Sequence, residues 1–325
     1  MSPVTRLPGT ATSCRRYPSK ICPSPVYVHH GGNGVSTTCA RGGSGIVPLN
    51  SPVSAYRAIQ PTTNPWGPPA VPAVPRHLPR SGEVAVWLLH LPSAAEAAAE
   101  RDGVLDAEEV RRVARFRDPL HRERYVTAHV GLRVLLGGYL DADPAEIEFT
   151  RELCGMPDCD KPHGRPALRG HQGLHFSLSH AEDAALIAVA DTTVGADIES
   201  RNTQRGGFDL TRKLHPDEQA AIAALPAELR EEAFLSCWVR KEAYLKGIGT
   251  GLPGGLASNH VGLAEGLAPD GSYVPEGWSL IDVDAPEGYQ AAVAVRAGSD
   301  GRPAAGGASG RPEQPIVSLD HLLLG

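Results

Sequence analysis

The first 80 residues contain no Asp or Glu, which sets them apart in composition from the rest of the chain and suggests that the folded region begins after them. The same stretch carries eight Lys and Arg and is dense in Pro, Gly, Ser and Thr, without the apolar periodicity that covers a core. All 37 acidic residues follow it, so the net charge of −6 describes neither part of the chain. We predict that residues 1–80 are a disordered leader. An organellar transit peptide would share this composition and stays an alternative.

Apolar patterns of helical and strand period alternate from Glu83 onward. They predict strands near 84–91, 174–180, 184–190, 193–199, 278–285 and 289–297, and helices over 93–116, 121–139, 208–224 and 227–247. Helices and a strand pair thus occur once in each half, with AALIAVADT and YQAAVAVRA in equivalent places. The sequence predicts an α+β fold of two similar subdomains. Their bounds are residues 83–192 and 193–325, the second with a Gly/Pro linker (298–314) and a C-terminal docking segment.

The six cysteines form no dense disulfide framework, and no stretch reaches the roughly 18 apolar residues of a membrane span. A cytoplasmic location fits this pattern best. Cys154, Cys159 and His163 lie close together in a Pro/Gly-rich segment, which raises the question of a zinc site. Because a paired C-x-x-C and a clear fourth ligand are lacking, an ordinary loop is the favoured reading, and zinc stays an alternative.

Two carboxylates share one face of the strand predicted for VGADIE. Asp197 and Glu199 are two residues apart, so they point to the same side while Ile198 points to the core. Carboxylates placed together repel each other unless a cation lies between them, and Mg²⁺ prefers carboxylate, phosphate and water oxygens. On its own, the pair is consistent with a divalent-metal site or with a solvated strand edge.

Trp238, Glu242 and Lys246 lie on successive turns of one face of a predicted helix. A surface ion pair at this spacing would contribute only about 0.2–0.5 kcal/mol. The tryptophan suggests instead a partly buried face, where an unneutralised charge is costly. A third metal ligand and a phosphate-binding lysine would explain this pattern.

A third motif, HFSLSH, ends in Ser179 and His180, which can either donate to a phosphate or form an inert turn. In their order and spacing, HFSLSH, GADIE and WVRKEAYLKGIGTGL resemble the signature of the surfactin-type (Sfp-type) 4′-phosphopantetheinyl transferases. The resemblance covers roughly residues 84–325 and none of the leader. It implies a pseudo-dimer of two α/β subdomains. It also implies an Mg²⁺-dependent enzyme that transfers the phosphopantetheine arm of coenzyme A to a serine of an acyl or peptidyl carrier protein and releases adenosine 3′,5′-bisphosphate.

The resemblance also implies roles for individual residues. Asp197, Glu199 and Glu242 are the implied metal ligands. Asp197, Glu242 and Lys246 are the implied catalytic residues, with Glu242 as candidate general base and Lys241 as a group that could assist it. The implied coenzyme A ligands are Arg112, Arg124, Arg165, Pro166, Ser179, His180 and Lys246. A further basic position of the family falls near Glu109, which is an acid here.

Partners follow from the same resemblance. Fatty-acid, polyketide and peptide-synthetase carriers are all compatible with it, and we expect a monomer without nucleic-acid or membrane partners. Carrier proteins are acidic, and we expect the segment after Glu199, up to about His215, to line the docking surface, because it joins the halves and includes Arg201 and Arg205. Two other functions stay open: an Mg²⁺-dependent phosphohydrolase or nucleotidyl-transfer enzyme, and a non-catalytic carrier-binding or zinc-knuckle protein. The chain has no Walker-type G-x-x-x-x-G-K-[ST] loop, which counts against an ATP-driven machine.

Overall fold

The computed structural model describes residues 26–31, 34–39, 79, 83–154, 164–202, 210–252, 255–268, 273–297 and 317–318. The chain forms two compact units, residues 1–59 and 60–325. In the first unit, β1 (Val26–Gly31) and β2 (Gly34–Cys39) pair as an antiparallel hairpin. This hairpin lies inside the stretch predicted to be disordered. Apart from the hairpin and Pro79, that stretch lies outside the described residues, so the prediction is not tested there.

The second unit mixes helices with mainly antiparallel strands, which confirms the predicted α+β class. Its first part contains β3 (Val84–His90), α1 (Leu91–Glu100), α2 (Ala107–Val113), α3 (Pro119–Leu140), β4 (Phe149–Arg151), β5 (Pro166–Leu168), β6 (His175–Ala181) and β7 (Ala184–Ala190). Its second part contains β8 (Val194–Ser200), α4 (Pro216–Ala224), α5 (Arg230–Ile248), β9 (Trp278–Val283), β10 (Tyr289–Arg296) and β11 (Val317–Ser318). Within the described ranges, no helix has the length and apolar character that a membrane span requires.

The two main sheets repeat one arrangement. Their strand orders are β11-β3-β7-β6 and β8-β10-β9. Each half supplies a first strand (β3 or β8), a long helix (α3 or α5) and an antiparallel strand pair, and the later strand of that pair lies at the centre. β7 and β10 carry the segments AALIAVADT and YQAAVAVRA, so these segments occupy equivalent places. β11 adds to the first sheet, where Val317 pairs in parallel with Trp87.

Three apolar layers hold the second unit together, and strand alternation decides which layer each side chain enters. One layer lies between the first sheet and helices α1 and α3, one between the two sheets, and one between the second sheet and α5. Val194, Ala196 and Ile198 of β8 enter the layer between the sheets. The intervening residues Asp197 and Glu199 therefore face α5, and both are buried.

Two predicted helices are shorter than expected because local capping divides them. The helix predicted over 93–116 is split into α1 and α2, and Asp106 caps α2 by accepting hydrogen bonds from the amides of Glu108 and Glu109. The carboxylate of Glu109 in turn accepts from the Asp106 amide, which completes a capping box. Similarly, α4 begins only at Pro216, where the His215 ring accepts from the Asp217 amide.

Helix α5 lies so close to β8 that Gly195 has no room for a side chain. A Cβ atom there would collide with the carbonyl oxygen of Ala243 and the amide nitrogen of Gly247. A Cβ on Gly247 would lie 2.7 Å from the Trp278 ring. The glycine of GADIE therefore sets the distance between the helix and the strand that carries the two acids.

We expect Gly195→Ala to push α5 away from β8 and to lower the free energy of unfolding by about 1–3 kcal/mol. Thermal unfolding would record this as a fall in Tm of roughly 2–4 °C per kcal/mol. Gly103→Ala is the matched control, because a Cβ there meets no atom within 4 Å. Equal Tm values for the two variants would contradict the close approach of α5 and β8.

Candidate functional site

The candidate site lies where strand β6 of the first sheet meets strand β8 of the second. The Ala196 amide donates a 2.9 Å hydrogen bond to Ser177 Oγ. Two residues further along β6, on the same side, Ser179 Oγ donates to Asp197 Oδ1 at 2.8 Å. The end of the HFSLSH strand is thereby held against the GADIE strand.

Lys246 joins this contact from helix α5. Its Nζ lies 2.6 Å from Asp197 Oδ1 and donates to Ser179 Oγ at 2.8 Å and to the Ala196 carbonyl oxygen at 3.2 Å. Asp197 is buried, and Lys246 reaches the surface in part. Residues from the three separate sequence motifs thus meet at one point.

A second oxygen of Asp197 is the clearest sign that a cation belongs here. Its Oδ2 is buried and has no hydrogen-bond partner among the described residues. Leaving such an atom without a donor or cation costs about 1–3 kcal/mol or more. Buried Glu199 shares the same face of β8, and Glu242 precedes Lys246 by one turn of α5. Among the described residues, the ligand atoms of these three acids are not gathered within 4.8 Å of one another. Their carboxylate oxygens are nevertheless the ligand type that a hard divalent ion such as Mg²⁺ prefers.

His180 lies near the end of β6, where the charges of His129, Lys246 and Arg124 act on it. Although the residue reaches the surface, loss of hydration, followed by the charges of His129, Lys246 and Arg124, lowers its pKa to about 4. The ring is therefore neutral at pH 7. Arg124 itself donates to Asp183 Oδ1 through Nη2 at 2.6 Å and Nε at 3.1 Å. His180 is thus influenced by the positive charges of His129, Lys246 and Arg124, of which Arg124 is already paired with Asp183.

The lowered pKa of His180 predicts the direction of a pH effect. Between about pH 4 and the ordinary value of 6.5, the unfolded chain binds the proton and the folded one does not, so acid should lower stability over this range. We expect the Tm of His180→Asn to fall less than that of the wild type between pH 6.5 and pH 4. His171→Asn, at an exposed histidine before β6, is the control. If both variants follow the wild-type curve, the prediction is wrong.

Arg165 connects the first half to the end of α5. Its Nε and Nη2 donate to the two carboxylate oxygens of Glu152 at 2.7 and 3.0 Å, and its Nη1 donates to the Gly247 carbonyl at 3.2 Å. Pro166 follows at the start of β5 and is exposed. A cleft of about 380 Å³ opens beside this contact. Its lining includes Thr193, Ile248, Glu276, Trp278 and Arg296.

Arg112 lies further away, at the start of a row of rings. Its guanidinium is 5.4 Å from the Phe116 ring centre. The Phe116 ring is 5.3 Å from the Tyr125 ring, which stacks on His129 at 4.0 Å. Sequence reasoning missed Tyr125 and His129, although their spacing of four residues places both on one side of α3. The row leads to His129, whose charge acts on His180.

Glu109, at the position where a base was expected, is a structural acid. It lies 2.7 Å from Arg133 Nε and 2.8 Å from His129 Nδ1. Burial alone would raise the pKa of this carboxyl group, but hydrogen bonds from His129 and the Asp106 amide and the charges of His129 and Arg133 lower it. Fully buried Arg133 also pairs with Asp106 at 2.8 Å. Glu109 therefore positions His129.

Lys241 does not reach the site, in contrast to the role considered for it from the sequence. It is fully buried, and its Nζ lies 2.7 Å from Glu218 Oε2. It also donates to the carbonyl oxygens of Leu256 and Asn259. Lys241 thus points into the layer between α5 and the following loop, on a different side of α5 from Lys246.

Two further groups contain residue types that can bind a metal ion. Ligand atoms of His215, Asp217 and His260 lie within 4.8 Å of one another. The two imidazole rings stack with planes only 14° apart, so their in-plane lone pairs do not converge on one ion. In the other group, Cys154 is buried, but Cys159 and His163 lie outside the described residues, so the zinc alternative is not tested.

Known proteins are similar in sequence to about two thirds of this chain. A family model described as the 4′-phosphopantetheinyl transferase superfamily matches residues 193–294. The chain is 31% identical over 217 residues to 4′-phosphopantetheinyl transferase HetI of Nostoc sp., covering 66% of this chain and 88% of that protein. It is 27% identical over 203 residues to a 4′-phosphopantetheinyl transferase of Bacillus subtilis, covering 61% and 86%. The matched family range contains Asp197, Glu199, Glu242 and Lys246.

Proposed function

The chain belongs to the 4′-phosphopantetheinyl transferase superfamily, and on this premise we propose that it transfers the phosphopantetheine arm of coenzyme A to a serine of an acyl or peptidyl carrier protein. Adenosine 3′,5′-bisphosphate is the other product of the proposed reaction. One observation carries this proposal: Ser179, Asp197 and Lys246 meet on the face of β8 that also holds Glu199. That arrangement combines a cation, a hydroxyl and carboxylates where a diphosphate and its metal ion would bind.

In this proposal Asp197, Glu199 and Glu242 hold Mg²⁺. The buried Oδ2 of Asp197, which has no donor among the described residues, supports the assignment. When bound, the ion would bind the diphosphate oxygens and neutralise charge that develops on the leaving group. Mg²⁺ is usually bound by one or two carboxylates together with phosphate and water, so Glu242 has room for a second role.

Lys246 must exchange a contact to bind phosphate. An ammonium group has three donors, and Asp197, Ser179 and the Ala196 carbonyl already take all three. The charged contact with Asp197 is the strongest of these, so one of the two neutral acceptors is released. Lys246 would then donate to a non-bridging oxygen of the diphosphate and stabilise its charge in the transition state.

Glu242 is the proposed general base. The carrier serine oxygen forms a bond to the β-phosphorus of coenzyme A, and the bond to the bridging oxygen of the adenosine bisphosphate breaks. The serine proton passes to Glu242, directly or through a water molecule. Glu242 lies partly exposed on α5, which leaves it open to an acceptor protein.

The remaining ligands would bind the nucleotide. Arg112 and Arg124 are proposed to bind the 3′-phosphate, and His180 is proposed to contact the phosphates together with Ser179. Arg124 would have to leave Asp183 or share it with the phosphate. Arg165 and Pro166 are proposed to contact the adenine, beside the cleft at Gly247.

The carrier surface, monomeric state and cytoplasmic location are parts of the same proposal. A monomer is supported because β6 and β8, from the two halves of one chain, meet at the site. Arg201, expected on the carrier surface, lies 3.3 Å from Glu232 in an exposed ion pair. Arg205 lies outside the described residues.

The test is to incubate the protein with Mg²⁺, coenzyme A and an apo carrier domain and to measure the intact mass of the carrier. We expect the mass of one phosphopantetheine to be added with Mg²⁺ and none with a chelator. Unmodified fatty-acid, polyketide and peptide-synthetase carriers would overturn the proposal. Consumption of coenzyme A without carrier modification would favour the phosphohydrolase alternative.

A further inference from the structure

Gln290 lies directly across from the proposed metal ligands. It is in β10, which pairs antiparallel with β8, and the register places Gln290 opposite Glu199 and Ala292 opposite Asp197. Side chains directly opposite in such a pair share one face, with Cβ atoms about 4.5–5.5 Å apart, and diagonal neighbours are about 7–8 Å apart. Gln290 therefore shares the face that carries both acids, and no sequence motif had indicated it.

The side-chain oxygen of Gln290 accepts no hydrogen bond from the described residues. Its Oε1 is buried and, like Asp197 Oδ2, has no hydrogen-bond partner among the described residues. The facing carboxylates of Glu199 and Asp197 can only accept hydrogen bonds when ionised, so they cannot satisfy this oxygen. Two acceptor oxygens without donors on one face point to an occupant that brings both positive charge and hydrogens.

A hydrated divalent ion is such an occupant. Mg²⁺ in proteins usually keeps several water molecules, because it gives up its hydration shell reluctantly. Side chains that accept from these waters or orient the ligands change metal affinity by about 10–100-fold. Gln290 is long enough to act from the neighbouring strand without binding the ion itself.

We propose that Gln290 is a positioning residue of the metal site, whose Oε1 accepts a hydrogen bond from a water molecule bound to the ion. This inference rests on the proposed function, since it requires the ion to be held by Asp197, Glu199 and Glu242. It also predicts an asymmetry: an acceptor at position 290 is required, and a donor is not. An amide that served only to donate to Glu199 would show the opposite behaviour.

Binding of Mn²⁺, followed by loss of the free-ion electron paramagnetic resonance signal, separates these cases. We expect Gln290→Leu to weaken Mn²⁺ binding about 10-fold, and Gln290→Glu, which keeps the acceptor and loses the donor, to bind at least as tightly as the wild type. In chelator, Gln290→Leu should unfold at or above the wild-type temperature, because it removes a buried oxygen without a partner. A purely structural glutamine would lower that temperature.

Gln219→Leu is the matched control, because Gln219 is also half-buried but donates to the carbonyls of Arg212 and Leu214, away from the acids. It should leave Mn²⁺ binding unchanged. Wild-type binding in Gln290→Leu, or weakened binding in Gln290→Glu, would overturn the role of Gln290 alone. If the wild type binds no Mn²⁺, or if Asp197→Asn binds it as the wild type does, the metal site of the proposed function fails and this inference fails with it.

Discussion

Asp197→Asn should lower the rate of carrier loading by about 10²–10³-fold while the protein stays folded. The asparagine keeps the shape of the side chain, and its Oδ1 can still accept from Ser179 and Lys246, which now lie 2.8 and 2.6 Å from that atom. The amide nitrogen, however, replaces Asp197 Oδ2, which has no hydrogen-bond partner among the described residues. Negative charge is lost where the ion would bind, and the intact mass of the carrier over time measures the effect.

Asp282→Asn is the matched control for this variant. Asp282 lies in β9, two strands from Asp197 in the same sheet, with Ala292 of β10 between them. Both of its carboxylate oxygens accept from Arg240 of α5, at 2.9 and 3.0 Å. Arg240 is buried, so the control should lose thermal stability. The loading rate of its folded fraction should stay near the wild-type rate. Wild-type loading by Asp197→Asn would contradict the proposed site.

The meeting of Asp197 and Lys246 could be predicted because it depends on local periodicity. The alternation of VGADIE leaves Asp197 on the side opposite Ile198, and the helical spacing of Glu242 and Lys246 places these two side by side. When β8 and α5 pack through their apolar residues, the positions of Asp197 and Lys246 are fixed by the same packing. The structure records the result as a 2.6 Å ion pair.

The residue roles that the sequence did not predict depend on contacts between positions far apart in the chain. Gln290 becomes relevant only through the register that sets it opposite Glu199. The role of Glu109 depends on Arg133 and His129, which lie 24 and 20 residues away in another helix. Neither a strand register nor a buried ion pair between helices leaves a periodic pattern in the sequence. The break between α1 and α2 has a different cause, because the capping box of Asp106 and Glu109 is local and the apolar period alone did not reveal it.

The charge of Lys241 did not predict which side of α5 it occupies or which residues it contacts. Residues 241 and 246 are both lysines, and five helical steps place them about 140° apart around the axis. One contacts Asp197, and the other is fully buried beside Glu218. The sequence gives no local sign of this difference, because the acid that pairs with Lys241 lies in α4.

Lys241→Met should therefore lower stability strongly and leave the chemistry intact. Removing one partner of a buried ion pair leaves an uncompensated charge and costs about 3–5 kcal/mol. For a unit of this size, thermal unfolding should record a fall in Tm of roughly 6–20 °C. Two backbone carbonyls, of Leu256 and Asn259, would also lose their donor, so the loop after α5 should loosen.

Two comparisons distinguish this structural role from a catalytic one. The double variant Lys241→Met/Glu218→Gln should recover part of the lost stability, because the neutral amide keeps an acceptor for the Val261 amide without leaving a buried charge. Lys213→Met, at an exposed lysine, should change the free energy of unfolding by no more than about 0.5 kcal/mol. Measured below its unfolding transition, Lys241→Met should load carrier at close to the wild-type rate. A large loss of rate at unchanged Tm would instead assign Lys241 a catalytic or positioning role in the reaction.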